Sequence, residues 1–320
     1  MCRDGVPRTE AAALLSEERQ WRRGDLQVEE PDGAPFGDLV ARSELDEAGG
    51  QCGGSLWRVR ELCCRTILAR NRSVNHPVTA TDRTWALPGA PWVMRMKWSE
   101  LLFAHWPVDP DLVRQYLPDG LEVDTCQGSA WVGVIPFRMS DVAPRGCPAV
   151  PGLSNFLELN VRTYVTKNGK PGVWFFSLDA ANMVAVRAAR ATFNLPYMDA
   201  RMSLHTRGPS REIEYESRRT HRNEPAADFR ASYRGAGEGF LATPGTLEYW
   251  LTARYCLYSA NKKCEIFRGE IDHPPWVLRS AECEIAKNTM GDPFGFDLAA
   301  TQHLLSADAL RVHAWWARRC

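Results

Sequence analysis

The sequence carries no net charge: 39 Lys and Arg residues meet 39 Asp and Glu residues in a chain of 320. Without a basic excess there is no general electrostatic case for nucleic acid or an anionic membrane, both of which need a positive face. No apolar run approaches the ~18 residues of a membrane span. The stretch Met1–Leu15 lacks the apolar core of a secretory signal. These absences predict a cytoplasmic protein with neither a membrane nor a nucleic-acid partner. The ten cysteines form no CxxC pair, and no histidine cluster completes a zinc site. No metal and no cofactor are therefore expected, and the thiols read as small hydrophobes. Lysine is scarce. Of six, Lys167, Lys170, Lys262 and Lys263 fall in predicted turns, where solvent keeps an ammonium charged. There is no internal repeat.

What is present divides into two parts. Residues 1–78 are rich in Glu, Arg, Gly and Asp, and apolar residues show no sustained period. Such a composition cannot bury enough surface to offset chain entropy. It predicts a disordered extension, or a start codon upstream of the true one, with short helices conceivable at Glu10–Arg22 and Leu56–Ala69. Residues 79–320 read as a single domain, in which short apolar strands alternate with turn signals.

Trp98–Trp106 reads as a strand. Asp109-Pro110 then opens a helix, since Asp caps a first turn and Pro tolerates one. Strands are predicted at Leu121–Asp124 and Ser129–Arg138 around Cys126-Gln127-Gly128. A hairpin is predicted from Phe156–Thr166 to Val173–Asp179, and a helix at Ala181–Phe193. Further strands fall near Met198–Thr206, Arg211–Arg219 and Asp228–Tyr233. Thr243-Pro244 is read as capping a helix through Leu251. Tyr255–Ser259, Glu265–Ile271, Glu282–Ala286 and Leu310–Trp315 complete the strands. Many strands with few short helices predict a β-rich (α+β) fold, an antiparallel β-barrel that closes its own edges.

Phe156–Val165 is the most informative segment. Alternate residues of a strand face opposite sides. One face is Leu157, Leu159, Val161, Thr163 and Val165; the other is Glu158, Asn160, Arg162 and Tyr164. Each of the latter can bond a neighbour or a planar ligand, which suits a pocket; an ordinary solvated face is the competing reading. Ser177 and Asp179 repeat the theme on the paired strand, opposite Trp174, Phe176 and Leu178. Arg187 and Arg190 share a helix face and suit either an anion or nearby carboxylates.

The stretches Leu101-Leu102-Phe103-Ala104-His105-Trp106-Pro107, Glu158 to Val165, Pro171 to Ala180, Leu195-Pro196-Tyr197 and His273-Pro274-Pro275-Trp276 together resemble the YqjF-like family of uncharacterised proteins, from about Asp82 to Arg318. The chain departs from that pattern at Ala253, where the family tends to have Glu, and at Asp272, where it tends to have His. The family is in turn similar to the acetoacetate-decarboxylase-like superfamily. That resemblance implies a β-barrel with a central cavity, and it puts Glu158 near an active-site glutamate. It also implies what is missing. A Schiff-base decarboxylase needs an activated amine, yet Tyr197 and Met198 stand at the lysine positions, and Pro107 stands near that of an early arginine.

Residues and resemblance together predict a barrel that binds a small organic molecule, a carboxylate or carbonyl compound. Glu158 is the candidate catalytic acid or base. Asn160, Arg162, Tyr164, Tyr197, Arg190, His105 and Ser177 are the candidate ligand-binding residues. An enzyme without a Schiff base and a non-catalytic scaffold are the alternatives, and a homo-oligomer is compatible with all three.

Overall fold

The computed structural model describes residues 83–299 and 302–320. The expectations for residues 1–78 lie outside them. In chain order the strands are β1 (Met94–Ser99), β2 (Leu101–Val108), β3 (Glu122–Val123), β4 (Ala130–Pro144), β5 (Phe156–Lys167), β6 (Lys170–Ala180), β7 (Tyr197–Arg207) and β8 (Glu212–Arg219). They continue as β9 (Asp228–Leu241), β10 (Cys256–Ala260), β11 (Ile266–Asp272), β12 (Val277–Asn288), β13 (His303–Ala307), β14 (Leu310–Ala314) and β15 (Arg318–Arg319). The helices are short: α1 (Pro110–Arg114), α2 (Met183–Phe193) and α3 (Leu247–Thr252).

Local chemistry accounts for most boundaries. The Asp109 side chain accepts the Asp111 amide at 2.9 Å and caps α1. Asn168 and Gly169, both at positive φ, make the two-residue turn between β5 and β6. Three details differ from expectation. The Trp98–Trp106 strand is two strands, because Glu100 at φ 57° breaks it. Helix α3 is capped by Thr246, whose hydroxyl accepts the Tyr249 amide, and not by Thr243. β9 extends beyond Tyr233 and β13 exists, although their mixed Gly, Ser and His content carries little strand signal.

Pairing runs β1–β14–β11–β10–β6–β7–β8–β9–β12–β13–β2–β4 and returns to β1, a closed ring of 12 strands. The ring is mainly antiparallel, with β6 parallel to both β7 and β10. β5 crosses it by pairing with both β4 and β6. The wall β4–β5–β6 is therefore buried on both sides. Leu157, Leu159 and Val161 meet Tyr215, Phe229 and Tyr233 from β8 and β9 on one side. Strands supply the apolar cover of this face. On the other side, Phe103, Ile135, Phe137 and Leu178 pack with Tyr197 and Trp276.

A bulge sets which β6 residues face which side. Val161 pairs with Ser177 and Arg162 with Phe175, so Phe176 is an extra residue. It turns Phe176 into the β8–β9 core, away from Leu178. The expected grouping of Trp174, Phe176 and Leu178 on one face fails for this reason, because a bulge is invisible to an alternation count.

Candidate functional site

The stripe predicted on β5 lies on the interior face shared with Phe103 and Trp276. Glu158 and Asn160 are 3 % and 5 % exposed, Tyr164 is fully buried, and Arg162 is the partly exposed member. The Glu158 carboxyl receives the Tyr197 hydroxyl at 2.9 Å. Burial raises its pKa to about 8, with the Asp179 carboxyl adding to the rise and the Tyr197 bond opposing it. At neutral pH Glu158 is protonated. Burial also pushes the Tyr197 phenol well up, so the pair is neutral.

Arg162 does not bond Glu158. Its Nη2 donates to Tyr164 Oη at 3.1 Å and to the Leu251 carbonyl at 3.2 Å, at the C-terminal turn of α3. Its Nε is buried without a partner. The guanidinium lies 5.4 Å from both the Phe103 and Tyr164 ring centroids. A guanidinium can only donate, so Tyr164 accepts from it; Tyr164 Oη also lies 2.7 Å from His105 Nε2. When the phenol donates to Nε2, the imidazole proton sits on Nδ1. Burial first, then the Arg162 charge, holds His105 well below the usual imidazole range, and it stays neutral.

Gly133 makes this possible. It pairs with His105 on one side and Arg162 on the other. A Cβ there would stand 2.8 Å from His105 Nε2. The imidazole thus crosses β4 over a residue with no side chain. A glycine inside an apolar strand marks close approach, and that signal was present in Trp131-Val132-Gly133-Val134.

Ser177 and Arg190 are not brought to the stripe. Ser177 lies on the opposite face of the wall, bonded to Arg219 Nη2 at 2.8 Å, with Arg219 also paired to Asp179 at 2.8 Å. Burial raises Asp179 to about 6 while Arg219 opposes the shift. Nothing in the sequence marks Arg219 as the partner of Asp179. Arg190 donates to the Tyr197 carbonyl at 2.6 Å and to His221 Nε2 at 2.9 Å, anchoring the start of β7 from outside. Arg187 pairs with Asp199 at 3.4 Å, so that helix face meets a carboxylate.

Arg254 was also missed. It donates to the Trp250 carbonyl at 2.7 Å and to Asp124 at 2.5 Å, stacked over Tyr164 and Trp250. His273 sits among Trp98, Tyr255 and Trp276, and burial lowers it to about 4. Beside it, a hollow of about 10 Å³ lined by Thr252, Ala253, Tyr255 and Trp276 has room for about one water. A wider surface groove of about 500 Å³ is lined by Pro110, Arg114 and Leu121. Neither hollow reaches Glu158 or Asn160, and the expected central cavity is not among them. The stripe meets solvent through Arg162.

Residues 95–311 match the profile of the DUF2071 family, described as an uncharacterized conserved protein. The chain is 43 % identical to the uncharacterized protein YqjF of Bacillus subtilis (strain 168) over 234 residues, 73 % of this chain and 95 % of YqjF. Among solved structures it is similar to the enduracididine biosynthesis enzyme MppR. In the complex of MppR with the condensation product of pyruvate and imidazole 4-carboxaldehyde, the TM-score is 0.52 at 15 % identity, over 72 % of this chain and 90 % of that one. It is similar also to an acetoacetate decarboxylase-like enzyme from Sphingomonas wittichii RW1, with TM-score 0.50 at 12 % identity, over 75 % of this chain and all of that one. At these identities the likeness shows the fold.

Proposed function

This chain belongs to the DUF2071 family on an acetoacetate decarboxylase-like fold, and we propose that it is a cytoplasmic protein that binds a small organic anion, a carboxylate or carbonyl compound, against the interior stripe of β5. One observation carries this reading. Arg162 points into the face with no carboxylate partner among the described residues, and its Nε is unbonded. The nearest acid on the stripe, Glu158, is neutral and held by Tyr197. The α3 carbonyl offsets part of the arginine's charge, but a carboxylate would complete it with charge-assisted bonds. MppR, on the same fold, has been solved with pyruvate, which supports a small acid as ligand. In this reading Arg162 holds the anionic group, Tyr164 and His105 orient Arg162, and Tyr197 keeps Glu158 in place.

Glu158 favours a second reading. A carboxyl with a pKa of about 8, bonded to a tyrosine, is suited to give or take a proton at neutral pH. The protein would then be an enzyme without a Schiff base. A calorimetric screen of two- to nine-carbon carboxylates tests the binding claim. The expected result is saturable binding of at least one acid, lost in a folded Arg162→Met variant. Equal binding by the variant, or no binding across the series, leaves the stripe a scaffold.

A further inference from the structure

We propose that the anion held at Arg162 is a hydroxy acid whose hydroxyl is read by Asn160; the inference rests on the anion-binding reading above. Asn160 stands two residues from Arg162 on the same face, so the two side chains leave the strand about 6.6 Å apart. Its carboxamide oxygen is buried without a hydrogen-bond partner among the described residues. Buried carboxamides are nearly always bonded, and an exception calls for an explanation.

The neighbours do not supply one. Across β4 stands Ile135 and across β6 stands Leu178, both apolar. Along the strand, Glu158 is engaged by Tyr197, and Arg162 makes its bonds to Tyr164 and Leu251. The site therefore sets an acceptor without a partner two residues along the strand from a cation without a carboxylate partner among the described residues, between apolar walls. A molecule that completes both brings a carboxylate and a hydrogen-bond donor on a nearby carbon, with a short apolar remainder. The donor is a hydroxyl and not an ammonium, because a second positive charge beside a guanidinium without a carboxylate partner is repelled.

Matched pairs of acids test this: lactate against propionate, and mandelate against phenylacetate, each titrated calorimetrically into the full chain. The hydroxy member should bind at least about tenfold more tightly, since a site built to bond a hydroxyl discriminates against the analogue lacking it. In Asn160→Leu that preference should vanish while propionate or phenylacetate binds within about threefold of wild type. If the variant does not fold, the Asn160 side-chain amide resonance of wild type should shift with lactate and not with propionate. Equal affinity within both pairs overturns the inference and leaves the anion reading standing. A hydroxyl preference that survives in Asn160→Leu overturns the role of Asn160. Absence of binding by all four acids overturns the inference, and the anion reading with it if the wider series also fails.

Discussion

Two single residues control the chemistry of the stripe. Glu158 binds its proton up to about pH 8 when folded but only to about 4.5 when unfolded. Between those values the folded state holds the extra proton, so this group's contribution to stability falls as pH rises and levels off above pH 8. Glu158→Gln removes that slope. The difference in urea midpoint, variant minus wild type, should rise between pH 5 and pH 8 and be level beyond about pH 9. A pH-independent difference would show that the carboxyl is not held protonated. Gly133 is the second control. Gly133→Ala puts a methyl 2.8 Å from His105 Nε2, which the imidazole can relieve only by leaving Tyr164. The expected cost is about 1–3 kcal/mol, with a changed ¹⁵N shift at His105 Nε2. Adding His105→Ala should recover part of the loss, because the smaller side chain makes room.

At the scale of elements, β5 and β6 carry two polar clusters on opposite faces of one wall, and the clusters differ in kind. Asp179 and Arg219 form a buried ion pair with side chains 0 % and 2 % exposed. Removing one partner strands the other, so Arg219→Met should cost about 3–5 kcal/mol and Asp179→Asn/Arg219→Met should cost less. Arg162 has no such partner among the described residues. Arg162→Met loses a cap on α3 and should cost under about 2 kcal/mol, and Glu158→Gln should not rescue it. Denaturant unfolding of the five variants, including Glu158→Gln/Arg162→Met, decides this. Rescue of Arg162→Met by Glu158→Gln would show a structural pair and remove the main argument for a ligand. The alternation of Phe156–Val165 made the stripe legible, because a strand's period is two whatever surrounds it. The partner of each polar group was not legible. Ser177 and Asp179 are set against Arg219 by register, and Phe176 is turned over by a bulge.

On the scale of the whole molecule, the ring of strands is tied to the segment that precedes it. Arg83 donates to Glu270 at 2.8 Å and to the carbonyls of Tyr255 and Ile271, while Trp85 donates to Glu270 at 2.9 Å. A chain beginning at Thr79 retains these bonds, whereas one beginning at residue 87 strands Glu270 with Arg268 alone. The shorter chain should melt more than about 5 °C below the longer; equal melting would show that the Arg83 contacts contribute nothing. None of the six lysines is buried, so none is desolvated in the way that activates an amine nucleophile. Acetoacetate with borohydride should therefore leave the intact mass unchanged, and a stoichiometric adduct would restore Schiff-base chemistry. By itself the sequence determined the strand-rich class, the turns and the two faces of β5, because periodicity, capping and residue identity act over a few neighbours. Only the tertiary structure decided that Glu158 bonds Tyr197 and not Arg162, that His105 reaches Tyr164 across Gly133, and that the Asn160 carboxamide oxygen has no partner among the described residues. Those outcomes depend on strand register across the wall, which the folding of the ring sets over separations that no local pattern records.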